Sequence, residues 1–318
     1  MTETATATPT ADPDAIVDQL VELISKWGAG SAKDVRNAIA PALLGASGAQ
    51  VAEMAHRLRT TGAGWGYHPS DPIVRAISRR VMELVLVDGS GIEWDAPPAR
   101  GQRLILMGNH LSYVDVNVLD CLIAAGEHAW VADQLTTIVG PKVYSEPIRR
   151  LASLCFATIK IAQSAGRASG EAVMSPREVA RIAAQMLEVA QNRVQAGEHL
   201  LLFPEGVRSR RSGMERCLPA VARYLDVDDL CVVPWGHFGT ESLVPLAEDH
   251  VYPTRVRVRV GAPRSAAALL DRADGSRRLA MDVIGCWIAE LLPQSYRGSY
   301  GDEAAPELDE ARRIAAEL

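Results

Sequence analysis

The segment Asn-His-Leu-Ser-Tyr-Val-Asp holds the pair of side chains best suited to chemistry. His110 lies five positions before Asp115 and follows the apolar run Leu-Ile-Leu-Met and the pair Gly108 and Asn109. At the end of a strand that leads into a helix, this spacing lets the carboxylate meet the imidazole. An imidazole held in this way is suited to taking up a proton near neutral pH.

A second His-x4-Asp match in the same chain shows that spacing alone proves little. His128 and Asp133 have the same separation in the segment His-Ala-Trp-Val-Ala-Asp. We expect His128 to begin a strand, in which residues five apart point to opposite faces and lie roughly 16 Å from each other. That distance is too long for a hydrogen bond. We therefore interpret the second match as a coincidence.

Segment 203–211, Phe-Pro-Glu-Gly-Val-Arg-Ser-Arg-Arg, follows the predicted strand Leu-Leu-Leu-Phe and is the second candidate site. Its proline and glycine fix an unusual backbone, and Glu205 shares the loop with three arginines. One interpretation is a solvated turn with a cluster of surface charge. The other is an anion site, because guanidinium groups on a loop near a helix start are well suited to binding phosphate.

Taken in this order, the two blocks resemble the signature blocks of the glycerolipid acyltransferase family, which includes lysophosphatidic acid and glycerol-3-phosphate acyltransferases. The segment Val-Val-Pro-Trp-Gly-His-Phe-Gly around Pro234 resembles the last block of that family, a hydrophobic strand that ends in proline. The resemblance covers roughly residues 85–245. Phe-Pro-Glu-Gly-Val-Arg-Ser is its most specific part, and His-x4-Asp is the least specific.

The resemblance implies direct acyl transfer from a thioester. His110 would take the proton from an acceptor hydroxyl, whose oxygen attacks the thioester carbonyl, while Asp115 orients the imidazole and stabilises its protonated state. The donor would be acyl-CoA or acyl-carrier protein, used as a co-substrate, with no cofactor and no metal. Arg208 is the expected phosphate contact. The substrate-binding residues that we predict are Asn109, Ser112, Phe203, Pro204, Glu205, Gly206, Arg208, Ser209 and Arg210.

One departure from the family pattern concerns the residues that would bind the acceptor. The family has a further hydrophobic strand that ends in an arginine, and here the corresponding position falls near Gln163. Its basic role is either missing or passed to Lys160 or Arg167. A glycerophospholipid precursor, lysophosphatidate or glycerol 3-phosphate, is the leading acceptor. A non-glycerol acceptor (a glycolipid, an amino-lipid or a specialised metabolite) and a non-catalytic lipid-binding protein are the alternatives, and His237 is interpreted as structural.

Composition restricts the partners and the location. The net charge of −6 provides no global positive field for nucleic acid or an anionic membrane. No apolar run approaches the ~20 residues needed to cross a bilayer. Five widely spaced cysteines without a Cys-x-x-Cys motif indicate reduced packing residues. We therefore expect a cytoplasmic protein that binds a lipid-like acceptor, and peripheral membrane contact through apolar N-terminal helices stays open.

The hydrophobic pattern predicts an α/β fold, a mixed central sheet flanked by helices, with a small N-terminal helical subdomain. We assign residues 1–12 to a disordered lead-in, 13–84 to the helical subdomain, 85–293 to the α/β acyltransferase domain and 294–318 to a charged tail. Helices are predicted over 13–27, 32–40, 48–60, 72–84, 176–196 and 276–292, and from 307. Strands are predicted over 104–107, 129–131, 157–161, 200–203, 230–234 and 255–260.

Overall fold

A mixed β-sheet forms the centre of the molecule. The computed structural model describes residues 12–162, 174–302 and 305–318. Residues 1–11 of the predicted lead-in (1–12), together with Gln163 and Arg167, lie outside these ranges. The strands are β1 (Gly66–His68), β2 (Gly91–Trp94), β3 (Arg103–Gly108), β4 (Leu135–Val139), β5 (Ala157–Lys160), β6 (His199–Leu202), β7 (Leu230–Phe238), β8 (Arg257–Val260) and β9 (Arg264–Ser265).

The order of the strands places the candidate loops at one edge of the sheet. Within the described residues the order is β1-β5-β4-β6-β3-β7-β8-β2, and β9 pairs with β7. Strands β5, β4, β6, β3 and β7 are mutually parallel, whereas β1, β8 and β9 run antiparallel to their neighbours β5 and β7. The carboxyl ends of the parallel strands therefore meet at the same edge, where such sheets bind ligands.

Helices cover both faces of this sheet, which confirms the predicted fold class. One hydrophobic cluster joins the N-terminal helices to one face, and a second joins α8 and the C-terminal helices to the other. The helices are α1 (Pro13–Trp27), α2 (Ala32–Leu43), α3 (Gly48–Thr60), α4 (Pro72–Val85), α5 (Asp115–Ala124), α6 (Ala129–Asp133), α7 (Pro147–Ser153), α8 (Pro176–Gln195), α9 (Thr240–Leu243), α10 (Ala266–Arg272), α11 (Arg277–Glu290) and α12 (Asp309–Glu317).

The predicted helix ends depend on local capping, and the structure contains those caps. Asp12 accepts a hydrogen bond from the Asp14 amide at the start of α1, and Gly28 ends that helix in the left-handed region. Ser175 and Glu178 form the capping box of α8. The charged tail contributes α12, which packs on α11 and accepts a hydrogen bond from the Trp287 indole at the Ala315 carbonyl, 3.1 Å away.

The connection between α3 and α4, for which no strand is predicted from the sequence, contains a short one. Residues 66–68 form β1, which pairs antiparallel with β5, so that Gly66 faces Lys160. The sequence lacks a strand signal here because the hydrogen-bond partners come from a segment more than 90 positions away. Helices α1 to α4 share their hydrophobic cluster with residues of β3, α5 and β7. The division of the chain into domains stays a prediction.

The predicted strand at 129–131 is wrong. These residues begin helix α6, and the strand is the next segment, β4, which contains the β-branched run Thr-Thr-Ile-Val. Val131 and Ala132 are buried because the short helix α6 packs against α5. The His128 ring packs against Trp94, 5.1 Å away, and Asp133 pairs with Arg79. The second His-x4-Asp match therefore takes no part in the site. The reason is these other contacts, and not the strand conformation that we expected for His128.

Across the part of the chain that the structure describes, no helix is both long and apolar enough to span a bilayer.

Candidate active site

His110 and Asp115 meet at the end of β3. The loop after Gly108 carries His110, and Asp115 is the first residue of α5. The Nδ1 atom of His110 lies 2.9 Å from Oδ2 of Asp115. That carboxylate also accepts hydrogen bonds from the backbone amides of Leu111 and Ser112, at 2.8 to 3.0 Å. The loop is thus folded around the Asp115 side chain, which is fully buried.

The ionisation of the pair follows from burial and from the neighbouring imidazoles. Burial favours a raised pKa for Asp115, but the imidazoles of His237 and His110 outweigh it and hold that pKa well below its usual range. Burial lowers the pKa of His110, although the hydrogen bond that its Nδ1 donates to Asp115 acts in the opposite direction. Asp115 is therefore ionised and His110 is neutral near pH 7. Because Nδ1 donates to the carboxylate, Nε2 is the nitrogen left to accept a proton.

Two aromatic rings pack against the His110 loop: Phe203 fixes the plane of the imidazole, and Trp235 contacts the backbone at Gly108. The His110 ring stacks on Phe203 with centroids 3.9 Å apart and an angle of 9° between the planes. Trp235 packs over Gly108, where an added Cβ would lie 2.4 Å from the indole ring. A side chain at position 108 would therefore push β3 away from β7. The glycine is required by this close approach, since the two residues are register partners in the sheet.

The loop after β6, residues 203–211, is hydrogen-bonded directly to the His110 backbone. Oε1 of Glu205 accepts from the His110 amide at 2.8 Å, and Oε2 accepts from the Glu215 amide at 2.7 Å. The amide of Ser209 donates to the His110 carbonyl at 2.8 Å. Burial raises the pKa of Glu205 to about 8, with the charges of Glu215 and Asp115 adding to the effect against the two amide donors. Glu205 thus joins the two candidate loops.

Arg208 lies over the ring of Tyr113, the tyrosine between His110 and Asp115 in the sequence. Its guanidinium carbon is 3.6 Å from the ring centroid, and Arg149 of α7 approaches the same ring at 4.2 Å. Arg149 also binds the Asp249 carboxylate through three contacts of 2.6 to 2.9 Å. Nη1 of Arg208 is buried and has no hydrogen-bond partner among the described residues. An anion at this position would supply the missing acceptor.

His110 opens into a cavity of about 640 Å³ that bends around the edge of the sheet. Apolar side chains line it on both faces, from α1, α4 and α7 on one side and from α8 on the other. Among the described residues that line it, the basic side chains outnumber the acidic ones: they are Lys142, Arg149, Arg208, Arg210 and Arg223, against Asp249 alone. The cavity therefore combines long apolar walls with local positive charge, in a chain whose net charge is negative.

The predicted substrate-binding residues divide into two groups. Phe203, Gly206, Arg208 and Arg210 line the cavity together with His110. The others are buried and bonded to the protein itself. Asn109 exchanges two hydrogen bonds of 2.9 Å with the His237 backbone, Ser112 donates to the Val244 carbonyl, and Ser209 donates to the Gly213 carbonyl. We infer that Asn109, Ser112, Pro204, Glu205 and Ser209 support the cavity wall, and their contact with substrate stays a prediction.

A sequence model of the family described as Acyltransferase matches residues 94–236, which include His110, Asp115 and the loop with Arg208. This segment of the chain is therefore similar to the acyltransferase family. The match supports an enzyme that transfers acyl groups. No curated protein matches the chain. Among solved structures, the 1-acyl-sn-glycerophosphate (LPA) acyltransferase PlsC from Thermotoga maritima matches with 13% identity and a TM-score of 0.46, over 87% of this chain and 95% of that chain.

Three residues of the candidate site were missed at the sequence level. Tyr113 lies inside the His110 motif, and its position there was the one signal that could have indicated it. Arg149 and Asp249 lie 100 positions apart, and neither belongs to a recognisable pattern. Their association depends on α7 packing beside the loop after β7, which no local spacing predicts.

Lys160, one of the two substitutes considered for the missing family arginine, is engaged away from the cavity. Its Nζ donates to the Gly62 carbonyl at 2.8 Å and lies 4.8 Å from the centroid of the Trp65 ring. It holds the segment before β1 against β5 and does not line the cavity. In the described part of the chain, Arg149 is a basic residue that approaches the same Tyr113 ring as Arg208.

Proposed function

We propose that the protein transfers a fatty acyl group from acyl-CoA or acyl-carrier protein to a hydroxyl of a glycerophospholipid precursor, lysophosphatidate or glycerol 3-phosphate. The observation that carries the proposal is the position of His110. Its ring, held through Nδ1 by a buried carboxylate, lies in the wall of a cavity with apolar walls and several guanidinium groups. An acyl chain and an anionic head group are the two chemical parts that such a cavity suits.

The proposed reaction is a direct transfer. Nε2 of His110 takes the proton of the acceptor hydroxyl as its oxygen bonds to the thioester carbonyl carbon. The tetrahedral intermediate then collapses, the carbon–sulfur bond breaks, and His110 returns its proton to the departing thiolate. Asp115 stabilises the imidazolium that exists between the two steps, because its negative charge lies 2.9 Å from Nδ1.

The apolar walls account for the acyl chain. On one face of the sheet the cavity is lined by Ile24 and Trp27 of α1, by Ile77, Val81 and Met82 of α4, and by Leu151 of α7. These side chains can remove an alkyl chain from water, which contributes about 0.8 kcal/mol for each buried methylene group. The wall also explains how the N-terminal helices take part in the site.

The guanidinium groups account for the acceptor. Burial lowers the pKa of Arg208, yet an arginine stays charged at neutral pH. Arg208 has an unsatisfied buried N–H group, and Arg149 lies over the same tyrosine ring. Asp249 binds Arg149, but the two guanidinium groups together outnumber this one carboxylate, which favours a phosphate over a neutral head group.

We further propose a cytoplasmic protein that contacts a membrane peripherally at the cavity mouth. Val207 and Leu246 both line the cavity and are 42% and 43% exposed. Apolar side chains at this rim would lie at the lipid surface from which an amphipathic acceptor enters.

The deciding experiment measures thiol release and product mass with a panel of acyl-CoA and acyl-carrier-protein donors. The acceptors are lysophosphatidate, glycerol 3-phosphate and a monoacylglycerol without phosphate. We expect an acylated product with a phosphorylated acceptor for the wild type and none for His110→Ala. Turnover with the unphosphorylated acceptor alone would instead support a non-glycerophosphate substrate. Tight binding of acyl chains without any turnover would support a lipid-binding protein.

A further inference from the structure

His237 is the second imidazole at the buried end of the catalytic pair. It lies near the end of β7, is 1% exposed, and its backbone amide and carbonyl are both bonded to the Asn109 side chain at 2.9 Å. The position of this histidine is therefore fixed by the same loop that carries His110. From the sequence it is interpreted as structural, and nothing in the spacing of the chain connects it with Asp115.

The Asp115 carboxylate lies between the two imidazoles. Oδ2 faces Nδ1 of His110 at 2.9 Å, and Oδ1 faces Nε2 of His237 at 3.0 Å. The His237 contact has ion-pair distance but lacks the alignment of a well-formed hydrogen bond, and Nδ1 of His237 has no partner among the described residues. The interaction of His237 with Asp115 is therefore mainly electrostatic.

Aromatic stacking fixes the orientation of both imidazoles. His110 stacks on Phe203, and His237 stacks on Trp235 with centroids 4.8 Å apart and planes 21° apart. Phe203 and Trp235 contact each other at 5.9 Å. The two histidines are thus connected twice, through Asp115 and through the two aromatic rings. We therefore expect a change at His237 to affect Asp115.

We propose that His237 is a positioning residue that holds the Asp115 carboxylate and withdraws part of its negative charge from His110. This inference rests on the proposed function, because it assigns His110 as the base. The charged or titratable groups around His110 and its partner Asp115 on α5 are Arg208 and Glu205 on the loop after β6, and His237 on β7. Of these, His237 is the one that shares a carboxylate with His110. Without it, Asp115 would interact more strongly with the imidazolium form of His110.

The test compares His237→Leu and His237→Gln with the wild type. His237→Leu removes the polar contact, so we expect kcat to fall about 10- to 100-fold because Asp115 is no longer held. The acid limb of kcat/KM should move upward by about half a pH unit or more. His237→Gln keeps an N–H group near Oδ1 and should recover most of kcat. His199→Leu is the matched control, since His199 is similarly buried in the same sheet. It begins β6, whereas the site loop 203–211 follows the other end of that strand.

A second measurement keeps the inference independent of turnover. The titration midpoint of the His110 imidazole is followed by ¹H–¹⁵N NMR, with the resonance assigned from its absence in His110→Ala. A rise of the midpoint in His237→Leu, and none in His199→Leu, supports the inference even if no acyl transfer is found, in which case only the proposed function fails. An unchanged midpoint in a folded His237→Leu overturns it. If His237→Leu does not fold, the same criterion applies to His237→Asn.

Discussion

At the scale of single residues, the Asp115 side chain has two effects on His110. It orients the ring through Nδ1, and it stabilises the imidazolium, which raises the His110 pKa against the lowering effect of burial. Asp115→Asn should therefore lower kcat by about 10²- to 10⁴-fold. It should also move the acid limb of kcat/KM to lower pH, opposite in sign to the shift expected for His237→Leu. A pH–rate profile of the variant measures both effects, and an acid limb that moves upward would contradict the assignment.

Arg149 is predicted to be the second guanidinium for the acceptor phosphate. Arg149→Gln removes the charge over Tyr113, so we expect KM for a phosphorylated acceptor to rise about tenfold, the loss of one charge-assisted hydrogen bond. KM for an unphosphorylated acceptor should change little. The measurement is steady-state kinetics with both acceptors at a saturating donor concentration.

The neighbouring residue Arg150 provides the matched control for this change. It lies on the same helix but donates to the Tyr144 carbonyl at 3.0 and 3.2 Å and does not line the cavity. Arg150→Gln should reduce thermal stability without selective loss of the phosphorylated acceptor. Equal effects of the two substitutions on both acceptors would show that Arg149 is structural.

At the scale of elements, the turn after β6 sets the direction of the loop that carries Arg208. Gly206 has a φ of 71°, and its amide closes the turn on the Phe203 carbonyl at 3.0 Å. Gly206→Ala should cost about 1–2 kcal/mol of folding free energy, because a side chain disfavours the left-handed region. Since the turn would shift to relieve that strain, kcat/KM should fall by about 10²-fold.

Gly197 separates the two effects of the Gly206 substitution. It has a φ of 95° with no atom within 4 Å of an added Cβ, and it lies between α8 and β6, before the amino end of the strand whose carboxyl end leads into the loop 203–211. Gly197→Ala should cause a similar loss of stability in chemical denaturation while kcat/KM stays near the wild-type value. If both variants lose activity in proportion to their stability, the turn has no special role in catalysis.

At the scale of the whole molecule, the buried His199 makes stability depend on pH. Its ring packs against Trp130 at the start of β6, and neither ring nitrogen has a partner among the described residues. Burial lowers the pKa of His199 to about 4, from an ordinary value of 6.5. The folded state therefore favours the neutral imidazole. Stability from this site is present above pH 6.5 and is lost as the pH falls towards 4, by about 3 kcal/mol.

His199→Leu removes this titration from the core. We expect its free energy of unfolding, measured by denaturant at pH 7 and pH 4.5, to fall less on acidification than that of the wild type. Glu205 acts in the other direction, because its raised pKa of about 8 favours the protonated form in the fold and its contribution is lost as the pH rises. Since both proteins retain Glu205, their difference isolates His199. Equal losses on acidification would contradict the assignment.

The sequence by itself determined the helix caps, most strands and the His110–Asp115 pair. These features depend on groups a few residues apart: Ser175 caps α8 through Glu178, and Asp115 binds the amides of its own loop. The mixed α/β class followed from the alternation of hydrophobic periods. The short element α6 was misassigned because one buried apolar turn has no period long enough to distinguish a helix from a strand.

Only the tertiary structure decided which distant groups complete the site. His237 reaches Asp115 because β7 pairs with β3, and Asn109 and His237 are 128 positions apart. Arg149 reaches Tyr113 and Asp249 because α7 packs beside the loops at the sheet edge. Strand β1 exists because β5 supplies its hydrogen bonds. The spacing of residues encodes short-range hydrogen bonds, whereas these contacts are selected by the packing of the whole sheet and its two helical layers.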